Sequence, residues 1–240
     1  MRARVKNNKG FSLLEIIVVL AIIGGISAVG IPNFLKWSNK RAVVNATTQV
    51  ATLFQNIYTT TERGTFAYVQ VLINSGDDGI SITTKGITMD SLVFKMNTSD
   101  YWKSESKRCN TSGSGDFWDT DDIDNEKLKA NLFTMENKDV VASFNGEAAI
   151  CFSRNGKFYY ADPGGELNFG GQPVNYLYLL LNKETNLSCD ISYSSPLRDA
   201  DLPAQGMEGG CQYVGAVQWT RFGEFTTSRW DEPRNSWYYM

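Results

Sequence analysis

Residues 10–37 of this chain read GFSLLEIIVVLAIIGGISAVGIPNFLKW. From Ile16 to Leu35 the stretch holds no charged residue. At about 1.5 Å per residue, a helix over these positions is about 30 Å long, which matches the hydrocarbon core of a bilayer. The stretch therefore predicts a helix that spans a membrane once.

The first ten residues, MRARVKNNKG, form a basic leader with four Lys or Arg side chains and no acid. Because positive charge is retained on the cytoplasmic side, we expect a cytoplasmic amino end and an exported carboxyl-terminal bulk. Lys36, Trp37 and Lys40 stand where interfacial anchors are expected. Beyond the leader the chain has 19 basic and 26 acidic residues, which argues against a broad, nonspecific nucleic-acid binder.

Two ordinary interpretations of the apolar stretch leave Glu15 unexplained. A cleaved secretory signal is suggested by Ala28-Val29-Gly30, which loosely imitates a small-x-small cleavage site. An uncleaved membrane anchor requires only the apolar length. A charge costs about 3 kcal/mol at the centre of a span and less near its end. Glu15 is therefore expected to have a partner or a function.

The junction between the leader and the apolar stretch reads Gly10-Phe11-Ser12-Leu13-Leu14-Glu15. This motif resembles the class III signal of type IV pilins and of the pseudopilins of type II secretion. The resemblance implies that a prepilin peptidase cleaves between Gly10 and Phe11 and methylates the new amine of Phe11. It also implies that Glu15 pairs with this amine on a neighbouring subunit during filament assembly. The helix macrodipole favours a carboxylate in the first turn, which agrees with this role.

The resemblance continues through Ile31-Pro32-Asn33-Phe34. Pro32 removes one backbone donor and is expected to kink the helix. Gly24, Gly25 and Gly30 weaken it further, by about 1 kcal/mol each relative to alanine. In filaments of the family the equivalent stretch tends to unwind, which assigns Pro32 a role in assembly. Alternatively, the small residues only permit close helix packing.

Beyond the membrane segment the pattern becomes amphipathic. Ala42, Ala46, Val50, Leu53 and Ile57 follow helical spacing and form an apolar stripe. One helix is therefore predicted from Phe11 to Arg63, ended by Gly64. We expect the stripe to pack in the core of the head, because a monomeric head must bury it before export.

Past Gly64 the pattern is typical of β-structure. Strands are predicted at Val69–Ile73, Ile80–Thr83, Leu92–Met96 and Tyr176–Leu181, and hairpins at Ala148–Ala161 and Val214–Thr227. The turns of the hairpins hold Asn155-Gly156 and Gly223. A loop-rich insertion is expected near Asn97–Glu126. The predicted fold is α+β and pilin-like, with a long amino-terminal helix packed on an antiparallel β-sheet head.

This organisation divides the chain into four parts. The leader, 1–10, is removed. The segment 11–35 is the membrane-spanning and polymerising half of the helix, and 36–63 is its amphipathic half. The segment 64–240 is the exported head.

Four cysteines lie in the second half of the chain: Cys109, Cys151, Cys189 and Cys211. An exported head favours two disulfides, and three pairings are open from the residues alone. Pilins often staple a carboxyl-terminal loop, so the resemblance implies Cys189–Cys211, which leaves Cys109–Cys151. Alternatively, some of the four are simply buried thiols.

An acidic run from Asp116 to Glu126 holds six carboxylates within eleven residues. Calcium prefers clustered carboxylates, and some pseudopilins bind it in a head loop. Asp119, Asp121, Asp122 and Asp124 are the candidate ligands. The spacing fits no EF-hand, so a solvated acidic loop is favoured and no other cofactor is expected.

Basic and aromatic residues alternate near the carboxyl terminus. Arg221, Arg229 and Arg234, interleaved with aromatic side chains, suit a contact with single-stranded DNA. Some minor pilins bind DNA for uptake. The acids Glu224, Asp231 and Glu232 cancel much of the positive field, so a final strand with aromatic packing is favoured.

Catalysis is disfavoured by composition and by motif. The chain contains no histidine, which excludes a Ser-His-Asp triad, a Cys-His pair and a His-ligated zinc site. No nucleophile elbow, P-loop or dinucleotide fingerprint is present. A glycoside hydrolase with paired carboxylates is the remaining enzymatic alternative, and it leaves Glu15 unexplained.

The resemblance implies a structural subunit of a type IV pilus, with a type II secretion pseudopilin and a DNA-binding minor pilin as alternatives. Its partners would be other pilin subunits, the prepilin peptidase and an assembly platform in the inner membrane. The precursor is expected to span the cytoplasmic membrane once with its head exported. After assembly it would belong to an extracellular pilus or a periplasmic pseudopilus.

Overall fold

A computed structural model of the chain describes residues 12–98, 100–104, 108–109, 128–130, 133–144, 146–155, 158–161, 167–169, 174–182, 213–220, 223–231 and 236–240. The chain divides after Lys40 into two units, an amino-terminal segment and a head that begins at Arg41. The amphipathic half of the helix belongs to the head from Arg41 onward.

The first helix, α1, extends from Leu13 to Glu62, close to its predicted bounds of Phe11 and Arg63. Gly64 follows it with a φ of 76°, in the left-handed region that glycine adopts without steric cost. Its N–H donates to the carbonyl of Thr61 at 3.0 Å, which satisfies one of the last helical acceptors. The predicted stop signal at Gly64 is therefore confirmed.

One sheet of the head has seven antiparallel strands, in the order β3-β2-β1-β6-β7-β8 with β4 also paired to β2. Its strands are β1 (Tyr68–Gly76), β2 (Gly79–Ile87), β3 (Leu128–Ala130), β4 (Met135–Asn137), β6 (Gly146–Ser153), β7 (Phe158–Ala161) and β8 (Leu167–Phe169). The predicted hairpin at 148–161 is confirmed by β6 and β7, where Phe152 lies opposite Phe158.

A second sheet has five antiparallel strands, in the order β12-β11-β10-β9-β5. Its strands are β5 (Val140–Ala142), β9 (Val174–Leu181), β10 (Val214–Thr220), β11 (Phe225–Asp231) and β12 (Ser236–Tyr239). The predicted second hairpin is confirmed by β10 and β11, where Trp219 lies opposite Phe225. The predicted strand at Tyr176–Leu181 lies inside the sheet, between β10 and β5.

The head portion of α1 packs on both sheets around one core. Its buried side chains there are Val43, Ala46, Val50, Leu53, Phe54 and Ile57. They meet alternate residues of both sheets, such as Val71 and Ile150 from one and Leu177 and Val217 from the other. The predicted amphipathic stripe is therefore core, and it holds the two sheets together.

The end of α1 is fixed by Tyr58. Its ring lies 6.0 Å from that of Phe225, edge to face. Burial, then a hydrogen bond to Glu62 and the negative charge of that carboxylate, raises the pKa of Tyr58 to about 12. The phenol therefore stays protonated at neutral pH and keeps its bond to Glu62.

Two short helices, α2 (Met89–Thr98) and α3 (Asp100–Lys103), lie on the other side of the seven-stranded sheet. The prediction of a strand at Leu92–Met96 was wrong, because those residues form the middle of α2. Thr88 begins this helix: its carbonyl accepts the N–H of Leu92 at 3.0 Å, and its hydroxyl donates to Ser91 at 3.0 Å.

A smaller core lies between these helices and the sheet. Its buried side chains are Ala67, Tyr68, Ile87, Leu92, Trp102, Cys109, Ala149 and Cys151. Cys109 and Cys151 form a disulfide with their Cα atoms 5.7 Å apart, which is the pairing expected for these two residues. The bond attaches the segment after α3 to the middle of β6.

At Gly215 on β10, α1 lies close against the backbone of the five-stranded sheet. A Cβ there would overlap Thr47 Oγ1 and lie 3.1 Å from Val43 Cγ1. We expect Gly215→Ala to lower the free energy of unfolding by about 1–3 kcal/mol, the usual cost of overpacking a core. Chemical denaturation of the full chain in detergent micelles measures this. Gly24→Ala is the control, because a Cβ at Gly24 meets nothing within 4 Å. Equal stability of both variants would contradict the close approach.

Candidate assembly site

The amino-terminal segment presents its apolar side chains to the outside. Its most apolar 18-residue window has a mean hydropathy of 2.5, and none of that window is buried within the structure. Leu13 and Leu14 are 76% and 72% exposed. By length and composition this part of α1 can cross a membrane, as predicted. Such a surface requires lipid or other apolar helices around it.

Glu15 stands in the first turn of this helix. The carbonyl of Ser12 accepts the N–H of Ile16 at 3.2 Å, so Ser12 occupies the N-cap position and Glu15 the third helical position. The Glu15 carboxylate is exposed and makes no ion pair with any residue that the structure describes. It lies beside the first backbone N–H groups, where a negative charge is favoured by about 0.3–1 kcal/mol.

The N-cap position of Ser12 was not predicted from the sequence. The spacing Ser12-x-x-Glu15 is that of a capping box, a start signal readable from the sequence. It indicates that the helix begins at Leu13, two residues after the predicted cleavage point. Gly10 and Phe11, the predicted processing residues, lie outside the described residues.

α1 remains helical on both sides of Pro32. The unwinding that the resemblance implies for filaments is therefore not a property of the isolated subunit. Proline still leaves the carbonyl of residue 28 without its usual donor, so this turn is the weakest in the segment. Gly24, Gly25 and Gly30 have nothing within 4 Å of where a Cβ would lie, so no contact within the subunit explains them.

At the end of the apolar stretch, Phe34 and Trp37 form a ring pair with centroids 5.8 Å apart. Both side chains are exposed. Aromatic rings are favoured at the boundary between lipid and water, so the pair lies where the predicted interfacial anchors are needed.

Several predicted site residues lie outside the described residues. They are the calcium candidates Asp119, Asp121, Asp122 and Asp124, the cysteines Cys189 and Cys211, and two arginines of the DNA hypothesis, Arg221 and Arg234. Among the side chains that the structure does describe, no group of three or more acids or cysteines is arranged to hold a metal ion.

Arg229, the third arginine of the DNA hypothesis, lies on β11. Its guanidinium is 5.0 Å from the ring centroid of Tyr238, the residue opposite it on β12. Trp230 is buried and packs edge to face on Trp237, with centroids 5.6 Å apart. These contacts support the interpretation as a final strand with aromatic packing, because both indole rings are used inside the sheet.

Comparison with known proteins points to the same segment. The family model described as the prokaryotic N-terminal methylation motif matches residues 5–29. Over 47 residues the chain is 40% identical to the type IV major pilin protein PilA of Myxococcus xanthus (strain DK1622), a match that covers 20% of this chain and 21% of that protein. The match thus spans about a fifth of that relative's length. No solved structure matches the chain.

The residues matched by the family model include the second half of the basic leader, the glycine–aromatic junction, Glu15 and most of the apolar stretch. The fold adds a long amino-terminal helix followed by antiparallel sheets, which is consistent with a type IV pilin. The chain therefore carries the prokaryotic N-terminal methylation motif, followed by a fold that is consistent with that of type IV pilins.

Proposed function

We propose that this chain is a structural subunit of a type IV pilus, without catalytic turnover or cofactor. It is made as a prepilin, cleaved between Gly10 and Phe11, and methylated on the amine of Phe11. Segment 11–35 then polymerises with the same segment of other subunits. The observation that carries the proposal is the position of Glu15. Among the described residues before Lys36, which form an exposed apolar helix, it is the one charged residue.

Lipid accommodates the apolar side chains of this helix but not the carboxylate of Glu15. Apolar side chains between Leu13 and Leu35 are as well solvated by acyl chains as by other helices, so they do not by themselves favour a filament. An unpaired carboxylate in the same span is unfavourable. Pairing Glu15 with the new ammonium group of Phe11 on a neighbouring subunit removes that cost, and each added subunit repeats the pair.

The glycines support close approach of neighbouring helices. Helix interfaces within membranes are enriched in small residues because these let backbones come together. Gly24, Gly25 and Gly30 make no contact inside the subunit that would require them. They are therefore available to a second copy of α1.

A type IV pilus is preferred over a type II secretion pseudopilus because a relative that is 40% identical to this chain over 47 residues is a type IV major pilin. The precursor is then an inner-membrane protein with one span, and the assembled subunit is extracellular. The prepilin peptidase and an inner-membrane assembly platform are its partners before assembly.

Mass spectrometry of the mature amino terminus tests the proposal. We expect the chain recovered from sheared filaments or membranes to begin at N-methylated Phe11, because the motif places the scissile bond after Gly10. Expression with and without an active prepilin peptidase is the control, and only the former should yield the shortened chain. A chain beginning at Met1, or near Ile31 as after a signal peptidase, would overturn the proposal.

A further inference from the structure

The carboxyl-terminal end of the apolar segment carries cations and no acid. Between residues 16 and 61 the chain holds three charged residues, Lys36, Lys40 and Arg41. Lys36 and Lys40 belong to the amino-terminal segment, whereas Arg41 begins the head unit. Polymerisation through 11–35 makes no use of these two lysines.

The two lysines lie on one face of the helix. They stand four residues apart in the continuous helix α1, so their side chains are neighbours, about 6 Å apart along the axis. Both side chains are exposed, and neither makes an ion pair with a residue that the structure describes. Like charges at this spacing repel each other, and an anion bound between them removes the repulsion. The pair therefore favours a negatively charged ligand.

The depth of these lysines matches the headgroup layer of a bilayer. The uncharged stretch 16–35 has 20 residues, which is enough to fill a hydrocarbon core of about 30 Å. The polar layer on each side of that core is about 5–8 Å thick. Lys36 follows the stretch directly and Lys40 lies about 6 Å further along the axis, so both fall inside this layer. The ligand is expected at the level of the lipid phosphates.

Two aromatic side chains stand at the same level on another face of the helix. The rings of Phe34 and Trp37 lie 5.8 Å apart and are both exposed. Aromatic rings favour the boundary between lipid and water, so this pair fixes the depth at which the helix lies. Lysine side chains adapt to such a boundary by extending their ammonium groups toward the headgroups. Both residue types therefore suit contact with lipid.

The positive charge lies on the side of the membrane where it is not expected. Basic side chains are normally retained on the cytoplasmic side. The cleavage in the proposed function, on which this step rests, removes the four bases of the leader. The mature chain then has no basic side chain before Lys36, and its first cations lie on the exported side. Such an inverted distribution is stabilised by anionic lipid in that leaflet.

A second copy of the helix is a poor source of negative charge. Its acids are Glu15 and Glu62, near its two ends. Glu15 is assigned to the amine of Phe11, and Glu62 is bonded to Tyr58. The middle of another helix would bring further cations against the lysines. Lipid phosphate, in contrast, lies at the required depth on every side of the helix.

We propose that Lys36 and Lys40 bind the phosphate of an anionic phospholipid in the leaflet on the exported side. Phe34 and Trp37 lie against the glycerol region and the upper acyl chains beside it. The bound lipid holds the subunit at a fixed depth before assembly. It has to be released when the subunit leaves the membrane for the filament.

Native mass spectrometry of the full chain tests the proposal. The chain is released from micelles that contain equal amounts of phosphatidylglycerol and phosphatidylcholine, and the retained lipids are counted. Both lipids contain a phosphate, but phosphatidylcholine also carries a positive group that cancels the charge. We expect the unmodified chain to retain more phosphatidylglycerol. Lys36→Gln combined with Lys40→Gln should lower the ratio of phosphatidylglycerol to phosphatidylcholine at least about threefold, because each lysine near a membrane surface attracts anionic lipid.

Lys103→Gln combined with Lys138→Gln is the matched control. Both lysines are exposed in the head, and the two double variants have the same net charge. The control is expected to keep the lipid ratio of the unmodified chain. Lys36→Arg combined with Lys40→Arg retains both charges and should keep it as well. The basic leader is present in every variant, so its own attraction for anionic lipid is the same throughout.

Three results would overturn the proposal. They are equal retention of both lipids by the unmodified chain, an unchanged ratio after Lys36→Gln and Lys40→Gln, and an equal fall in the control variant. Self-association that is lost in the glutamine variant without a change in the lipid ratio would assign the lysines to the acidic head of a second copy instead. No prepilin cleavage takes place in this measurement, so a negative result leaves the test at Phe11 unaffected.

Discussion

Replacing Glu15 by alanine is expected to leave the prepilin cleaved and inserted but to remove it from filaments. The substitution deletes the one charge in the described part of the apolar segment before Lys36, so insertion becomes easier and only the proposed pairing with the amine of Phe11 is lost. We expect the amount of subunit in sheared filaments to fall at least about tenfold, equivalent to a loss of about 1.4 kcal/mol per added subunit. Quantitative immunoblots of sheared and membrane fractions measure the effect.

Glu15→Gln separates charge from shape. Glutamine keeps the size and the hydrogen-bonding groups of glutamate but cannot neutralise an ammonium group, so it is expected to fail almost as completely as alanine. Glu224→Ala is the control, because Glu224 is an exposed glutamate of the head in the turn between β10 and β11. Normal filament levels with Glu15→Gln would show that the charge has no role in assembly, whatever the result of mass spectrometry at Phe11.

The amino-terminal helix was predictable from the sequence because the signals that specify it are local. Each signal has a direct physical meaning: an uncharged stretch of membrane length, a basic leader and one carboxylate inside the apolar segment. The hairpins were readable for the same reason, since Asn155-Gly156 and Gly223 supply turn residues between two short apolar runs.

The error at Leu92–Met96 has a specific cause. Five residues are too few for periodicity to distinguish a buried strand from a helix. The start signals were present: Thr88 stands at the N-cap and Asp90 lies in the first turn of α2. Together, Thr88 and Asp90 indicate the start of a helix rather than a strand.

The division into two sheets was not predictable in this way. β5 pairs with β9, so Val141 lies opposite Leu180, although the intervening strands β6, β7 and β8 belong to the other sheet. Such non-local pairings depend on packing that no short motif encodes.

Loss of the Cys109–Cys151 disulfide is expected to have the largest effect on the stability of the head. The bond closes a loop with a sequence separation of 42, for which the chain-entropy account gives about 4 kcal/mol. The disulfide also fixes the position of the neighbouring Arg108, whose side chain is buried, with 3% of its surface exposed. The guanidinium donates from Nε to the carbonyl of Trp102 at 2.5 Å and lies 5.9 Å from the ring centroid of Tyr68. Without the cross-link, the segment that holds Arg108 and Cys109 gains conformational entropy, and the guanidinium of Arg108 becomes hydrated.

A double-mutant cycle tests this through chemical denaturation of the full chain in micelles. Because either substitution breaks the same bond, Cys109→Ala, Cys151→Ala and the double variant should each lose about the same free energy of unfolding, near 4 kcal/mol. Each single variant should also expose one more titratable thiol on unfolding than the unmodified chain, and the double variant none. Additive losses in the cycle, or no gain of thiol in the single variants, would mean that the two sulfurs are not bonded in the folded head. Agreement would show that the layer formed by α2 and α3 depends on the oxidation of its cysteine, so the head reaches full stability only where disulfides form and persist.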